Sequence, residues 1–332
     1  MSARIDGLFF FLPVLVALAA LVLVRAPAVE NSGILTFLVL QGLGLGPLHL
    51  GMTWAHFKDR ETRDHLIGPG RTRLLLALTA VVGILALSAA LMLYAPVLTI
   101  ALFMATSVHH IVKQNQGILL LYHDRDGECL PPRELESRTI TRAAWLCAII
   151  FLARLAPPSS LEQLSLSALA AVASLFVAFS IRNYLTCIVV QARAGLAINV
   201  PALLFWVVSV TFLLPFAWLG DNYNNGLIAP LVMHWFQYVY INWLLVRRRQ
   251  TERAGTTIAS LVAIATITMI AVLSLGLNAT LHPGSNSREL YLISGAVIGL
   301  SLIHYLQDSW LWRFRDPFIR ERVLPFLKST AR

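Results

Sequence analysis

The chain has 332 residues, of which 57% are hydrophobic and 13% are charged. A soluble domain carries about twice that charged fraction, so the composition excludes an ordinary soluble protein and predicts an all-α, polytopic integral membrane protein. The formal net charge of +9 needs no nucleic-acid partner, because basic residues concentrate in the loops of membrane proteins.

Apolar stretches of about 20 residues, the length that crosses a bilayer, recur along the chain. The first, 7–24, reads GLFFFLPVLVALAALVLV and is interpreted as an uncleaved helix rather than a signal peptide. The stretches form a single transmembrane domain over residues 1–332, which ends in a basic cytoplasmic tail at 312–332. The ten predicted spans are 8–24, 33–55, 74–94, 96–122, 140–156, 164–186, 199–219, 226–246, 256–277 and 289–311.

The distribution of lysine and arginine orients these spans. With the N-terminus in the cytoplasm, 23 of the 26 Lys and Arg residues fall on the cytoplasmic side, and only Arg25, Arg154 and Arg288 fall outside. Short cytoplasmic loops of membrane proteins are enriched in Lys and Arg. We therefore expect both termini in the cytoplasm and a location in a lipid bilayer, the bacterial inner membrane.

Four predicted spans carry histidine well inside an apolar run. The residues are His49 in GLGLGPLHLGMTWAH, His109 and His110 in ALFMATSVHHIVKQ, His234 in APLVMHWFQYVYIN and His304 in AVIGLSLIHYLQDSW. An ionisable side chain at membrane depth is costly and marks a functional site. All four spans run from the outside to the cytoplasm and place their histidines near mid-membrane. The pattern predicts a metal or haem site inside a helical bundle.

Polar residues continue these helix faces towards the cytoplasm. Each of them follows a histidine by four to eight positions, and they are His56, Gln114, Tyr238, Asn242 and Asp308. Residues at such spacings share a helix face, and a metal-bound histidine is normally held by a carboxylate, amide or carbonyl. We predict Asp308 and Tyr238 as catalytic residues, Gln114 and Asn242 as cofactor-binding residues, and His56 as a further metal ligand.

The predicted ligand set indicates which metals would bind. Imidazoles with a carboxylate, and three cysteines without CxxC spacing, suit iron, zinc or copper(II). Iron, mononuclear or dinuclear, is favoured because it activates dioxygen; haem and copper are the alternatives. We expect an iron-dependent oxidoreductase of the oxygenase, hydroxylase or desaturase type. Its partners would be a lipid, fatty-acyl or isoprenoid substrate and an electron-donor protein.

The segments HLGMTWAH, VHH and HYLQD resemble the histidine boxes of membrane-bound non-haem di-iron oxygenases and desaturases. Members of that superfamily have HxxxH or HxxxxH and then HxxHH boxes, whereas His49 and His56 are seven residues apart. The scatter of intramembrane histidines is also similar to that of the bacterial carotene-cleaving dioxygenases. Both resemblances imply iron and dioxygen, and neither identifies a substrate.

Two other classes of protein could use the same histidines. A haem-binding cytochrome would pair His49 and His109 with His234 and His304 across the bundle. A proton or ion transporter would use Asp308 and the histidines as a relay, and it would be expected to show repeat symmetry, which the sequence does not.

The remaining histidines lie in predicted loops. His65 and His123 fall in cytoplasmic loops and His282 falls in an outer loop. We expect His65 and His282 to be solvated. His123 could be a metal ligand, but a loop histidine more often has no functional role, which is the interpretation favoured here.

Overall fold

The computed structural model describes residues 11–24, 46–57, 59–123, 131–154, 160–219, 229–250 and 287–328, together with Gly7 and Cys129. Every regular element in these residues is helical. Within them, extended pairing is limited to an isolated bridge residue, Ala197, whose carbonyl oxygen accepts a hydrogen bond from the Cys129 N–H at 2.8 Å. The predicted all-α fold class is confirmed for this part of the chain.

Twelve helices lie in the described residues. They are α1 (Leu12–Val24), α2 (Gly46–His56), α3 (Arg60–Ile67), α4 (Arg71–Tyr94), α5 (Pro96–Tyr122), α6 (Arg133–Arg154), α7 (Ser160–Arg193), α8 (Val200–Thr211), α9 (Leu214–Leu219), α10 (Ala229–Gln250), α11 (Ser287–Leu311) and α12 (Pro317–Lys328). Three of them are long and apolar enough to cross a membrane: α4, α5 and the Gln163–Arg193 part of α7. These three long apolar helices indicate membrane association, but they are fewer than the ten spans that hydropathy predicts.

The predicted span 199–219 is divided into two helices in the structure. Helix α8 ends at Thr211 and α9 begins at Leu214. Pro215 has no N–H to donate to the carbonyl of Thr211, and its ring would clash with that carbonyl in a continuous helix. The predicted fifth span, 140–156, is also displaced, because α6 begins earlier, at Arg133.

Two helices were absent from the prediction, and the predicted spans 33–55 and 256–277 lie mostly or wholly outside the described residues. Helices α3 and α12 are short, charged and rich in arginine, so a search for apolar runs passes over them. Only Gly46–His56 represents the predicted span 33–55, and the predicted span 256–277 lies outside the described residues.

The chain divides into two compact units. The first contains residues 1–26 and 107–234, and the second contains 27–106 and 235–330. In the first unit, α6 packs against α7, α8 and α9.

Buried aromatic and polar side chains hold the first unit together. The ring of Tyr184 on α7 stacks on that of Trp206 on α8, with centroids 3.8 Å apart. Asn199 caps the start of α8 and donates its amide N–H to the carbonyl of Tyr122 at the end of α5. The buried amide of Asn199 therefore connects α8 to α5.

In the second unit, α11 packs closely against α4 through two glycines. A Cβ atom placed on Gly295 would lie 2.6 Å from both the Cα of Ala89 and the carbonyl oxygen of Ser88. One turn later, a Cβ on Gly299 would lie 3.1 Å from the Cα of Leu85. Small residues four apart allow this close approach of helix backbones, as in membrane proteins.

The rest of the α4 surface is apolar and exposed. Leu75, Leu76, Val82 and Leu87 are each more than half exposed. A lipid-facing surface has this composition, because hydrocarbon does not penalise exposed apolar side chains.

Helix α12 is joined to the α3 segment by hydrogen bonds and ion pairs. The Nε2 atom of His65 lies 2.8 Å from a carboxylate oxygen of Asp316, and this hydrogen bond holds the pKa of Asp316 below its ordinary value. The guanidinium group of Arg322 bonds Asp59 at 3.0 Å and also pairs with Glu61. His65, predicted to be solvated, therefore has a carboxylate partner.

We predict that Gly295→Ala destabilises the protein, because the new methyl group would meet backbone atoms of α4 that cannot move away independently. Overpacking of this kind costs about 1–3 kcal/mol, which thermal unfolding of the full chain in detergent would detect. Gly83→Ala on α4 is the matched control, since nothing lies within 4 Å of its added Cβ; it should be neutral or raise stability by up to about 1 kcal/mol. Equal stability of the two variants would contradict the close packing.

Candidate metal centre

His110 on α5 and His234 on α10 form the first of two buried histidine pairs. Their Nε2 atoms are 3.2 Å apart, and the rings are nearly perpendicular, at 87°. Two imidazoles on one tetrahedral ion, with metal–nitrogen distances of about 2.0–2.1 Å, would have their nitrogens about 3.4 Å apart. The separation of this pair is therefore suitable for sharing an ion.

His49 on α2 and His304 on α11 form the second pair. Their ring centroids are 4.1 Å apart in an edge-to-face arrangement. The ring of Tyr238 on α10 lies against both, with its centroid 4.7 Å from that of His49 and 5.0 Å from that of His304. Both histidines are 1% exposed, so the pair is shielded from water.

His49, His110, His234 and His304 are all buried, and each lies against another histidine within its own unit. The ring nitrogens of the first pair are close enough together to bind a metal ion. Each of the four spans singled out in the sequence contributes one histidine to this group, which we call the histidine group.

A chain of short hydrogen bonds leads away from His304. Its Nδ1 atom lies 2.5 Å from the hydroxyl oxygen of Thr53, and that oxygen lies 2.8 Å from the phenol oxygen of Tyr238. The Tyr238 phenol donates to Oδ1 of Asp308 at 2.6 Å, while Oδ2 of Asp308 is 3.6 Å from Nε2 of His304. Both predicted catalytic residues are therefore buried beside a histidine of the group.

Thr53 is the member of this chain that the sequence analysis missed. It follows His49 by four residues, so it shares a face of α2 with that histidine. The same spacing rule that selected Asp308 could have selected Thr53. A threonine in an apolar helix attracts less attention, because its hydroxyl can bond its own helix backbone.

Two predicted metal ligands, His109 and His56, lie outside the histidine group. The side chain of His109 is exposed: consecutive helical residues point about 100° apart, so it cannot point with His110 at one centre. His56 is buried, and its Nε2 atom lies 2.6 Å from Oδ1 of Asn242. His56 thus has an amide partner two turns after His49.

The two predicted cofactor-binding amides bond to the protein itself. Asn242 donates its Nδ2–H to the carbonyl of Tyr238 at 2.9 Å in addition to its contact with His56. Gln114 donates its Nε2–H to the carbonyl of His234 at 3.3 Å. These bonds place each amide against a residue that belongs to or touches the histidine group, and cofactor binding by either remains a prediction.

The side chain of His123 is 7% exposed, and it is held by a carboxylate. Its Nε2 atom lies 2.8 Å from Oε1 of Glu136, and the Tyr184 phenol donates to the same oxygen at 2.6 Å. The carboxylate that removes His123 from water lies on α6, 13 residues further along the chain. His282 lies outside the described residues.

The side chains of the histidine group are of a type that binds transition metals. Imidazole nitrogens suit iron, zinc, copper and nickel, and a nearby carboxylate is a common additional ligand of iron and zinc. No protein-family model, curated protein or solved structure matches this chain.

We predict that His56→Ala lowers stability without removing metal. The substitution takes the imidazole partner away from the buried Asn242 side chain, which costs about 1–3 kcal/mol. Thermal unfolding and elemental analysis of the purified variant would measure the two effects. His65→Ala, which alters a partly exposed histidine, is the control and should change stability less. Loss of metal from His56→Ala would contradict the placement of His56 outside the histidine group.

Proposed function

We propose that the chain is a membrane-embedded, iron-dependent oxidoreductase of the oxygenase, hydroxylase or desaturase type that acts on a lipid, fatty-acyl or isoprenoid substrate. The observation that carries the proposal is the buried pair of His110 and His234, whose Nε2 atoms are 3.2 Å apart, together with a second buried pair, His49 and His304. The carboxyl group of Asp308, 3.6 Å from His304, places an oxygen donor beside the proposed ion.

A bound cation accounts for this cluster better than helix packing does. A neutral imidazole has one bare ring nitrogen whose lone pair needs a partner when water is excluded. A single cation accepts lone pairs from several rings at once, whereas hydrogen bonds between neutral rings satisfy them only in donor–acceptor pairs. Four histidines from four helix segments therefore favour a metal over four separate packing roles.

The separation of the first pair favours a non-haem ion over haem. Two axial imidazoles on opposite sides of a haem iron, each about 2.0 Å from the metal, have their nitrogens about 4 Å apart with the macrocycle between them. His110 and His234 approach to 3.2 Å, which suits neighbouring positions on one ion. Haem ligation by this pair would require the two helices to separate.

The proposed substrate class follows from the surroundings of the second pair. Met52 and Tyr238 are buried together, with Leu48, Val239 and Trp312 packed against them. These packed apolar side chains beside the second pair favour an apolar substrate over a polar one. Hydrocarbon has no polarised group to hydrolyse, so oxidation with dioxygen at iron is the chemistry that we propose.

We also propose that the chain crosses the bilayer ten times, with both termini in the cytoplasm. The support is the long apolar helices, the exposed leucines of α4 and the concentration of basic residues in one set of loops. An electron-donor protein would then reach the site from the cytoplasmic side, on which the histidine-bearing spans end.

We expect a reporter fused after Arg332 to be cytoplasmic, because the residues that follow α11 are rich in arginine. Paired fusions of a fluorescent protein and of an enzyme that is active only in the periplasm would measure this. Fluorescence without periplasmic activity is the expected result, and the reverse would contradict the proposed orientation.

We expect the purified full chain to contain iron and to have no haem Soret band. Ala at His110 should reduce the iron content at least about tenfold, because it removes one nitrogen of the closest pair. His109→Ala is the matched control, since it changes the neighbouring, exposed histidine, and its iron content should equal that of the unmodified protein. Elemental analysis and an optical spectrum measure both.

Several outcomes would contradict the proposal. Undiminished iron in His110→Ala, or a Soret band in the unmodified chain, would refute the non-haem site. If His304→Ala lost metal but a proton or ion flux survived in vesicles, the transporter interpretation would replace the proposed oxidoreductase. Lipid profiling of cells that express the unmodified chain or His304→Ala would identify the substrate; identical profiles would contradict a lipid-modifying activity.

A further inference from the structure

We propose that Thr53 is a positioning residue that holds His304 in the form protonated on Nδ1, and so presents a bare Nε2 atom to the metal. The effect on metal binding rests on the proposed function. The position of the ring proton on His304 does not, and it can be tested in the metal-free protein. The observations that carry it are three consecutive hydrogen bonds that join His304, Thr53, Tyr238 and Asp308.

The direction of these bonds is set at Asp308. The Tyr238 phenol donates its single proton to Oδ1 of Asp308, 2.6 Å away. The phenol oxygen is then an acceptor for the Thr53 hydroxyl, which lies at 2.8 Å.

The direction of one hydrogen bond fixes that of the next, because each hydroxyl has only one proton to donate. Thr53 donates to Tyr238, so its oxygen can only accept from Nδ1 of His304, 2.5 Å away. Nδ1 must therefore carry the ring proton, and Nε2 of the neutral ring must be bare. A bare nitrogen is what a metal requires of histidine.

The tautomer of His304 that is protonated on Nε2 is not compatible with these hydrogen bonds. If Nδ1 were bare, Thr53 would have to donate to it, and no proton would remain between the oxygens of Thr53 and Tyr238. Two buried oxygens facing each other at 2.8 Å without a proton are unfavourable. The Oδ2 atom of Asp308 is 3.6 Å from Nε2 of His304, which is longer than an ordinary hydrogen bond.

The position of Thr53 on α2 fits this role. It is completely buried, as are its hydrogen-bond partners, so water cannot replace its hydroxyl. It also follows His49 by four residues, so one face of α2 supplies both a candidate ligand and the group that orients a second ligand on α11. Partners of this kind hold metal-bound histidines in orientation and tautomer.

The test compares Thr53→Val with Thr53→Ser in the full chain. Valine has the shape of threonine without the hydroxyl, whereas serine keeps the hydroxyl. Thr53→Val should weaken iron binding by about 10–100-fold, the usual effect of losing such a partner, and Thr53→Ser should stay within a few-fold of the unmodified chain. Chelator competition measures both. Equal affinities for the two variants would overturn the proposal.

A second measurement does not depend on metal or on the folding of the valine variant. Solid-state ¹⁵N NMR of the histidine-labelled, metal-free chain distinguishes protonated from bare ring nitrogens, and His304→Ala assigns the signals. The expected result is a protonated Nδ1 on His304, with mixed tautomers in Tyr238→Phe, which disconnects Thr53 from Asp308. A protonated Nε2 in the unmodified chain would overturn the inference. Absence of bound iron with a protonated Nδ1 would instead refute only the proposed function.

Discussion

Burial of four imidazole rings is the constraint on which the rest of the structure depends. A ring nitrogen removed from water is costly unless it has a partner, and His49, His234 and His304 are each 1% exposed. The short contact within the first pair and the hydroxyl contact of His304 both meet this requirement. Around the second pair the partners are themselves buried and polar, so the requirement extends from the histidines to Thr53, Tyr238 and Asp308.

Because of helical periodicity, the need of a buried histidine for a polar partner appears in the sequence as a four-residue spacing. His234 and Tyr238 are one turn apart on α10, and His304 and Asp308 are one turn apart on α11. A histidine and its polar neighbour therefore share a helix face. Close packing of α11 on α4 through Gly295 holds the helix that carries His304 and Asp308. The glycine contact thus contributes to the site although it lies more than two turns from it.

The parts of this site that the sequence predicted are those encoded within a single helix. Isolated histidines in apolar runs identified the four members of the histidine group, and the four-residue spacing identified Asp308. Contacts between helices were not predictable in this way. The hydroxyl of Thr53 and the burial of His123 by Glu136 depend on residues brought together by folding. The end of α8 before Pro215 was readable in principle, because proline interrupts a helix, but hydropathy alone ran across it.

The central claim is that buried histidines of the group bind a metal ion. X-ray absorption spectroscopy at the edge of the bound metal, on the purified full chain, tests it most directly, because imidazole rings produce a characteristic multiple-scattering pattern. The account predicts stoichiometric iron with several imidazole nitrogens at about 2.0–2.2 Å and a loss of imidazole scattering in His110→Ala. A chain without stoichiometric metal, or a metal whose ligands include no imidazole, would contradict it.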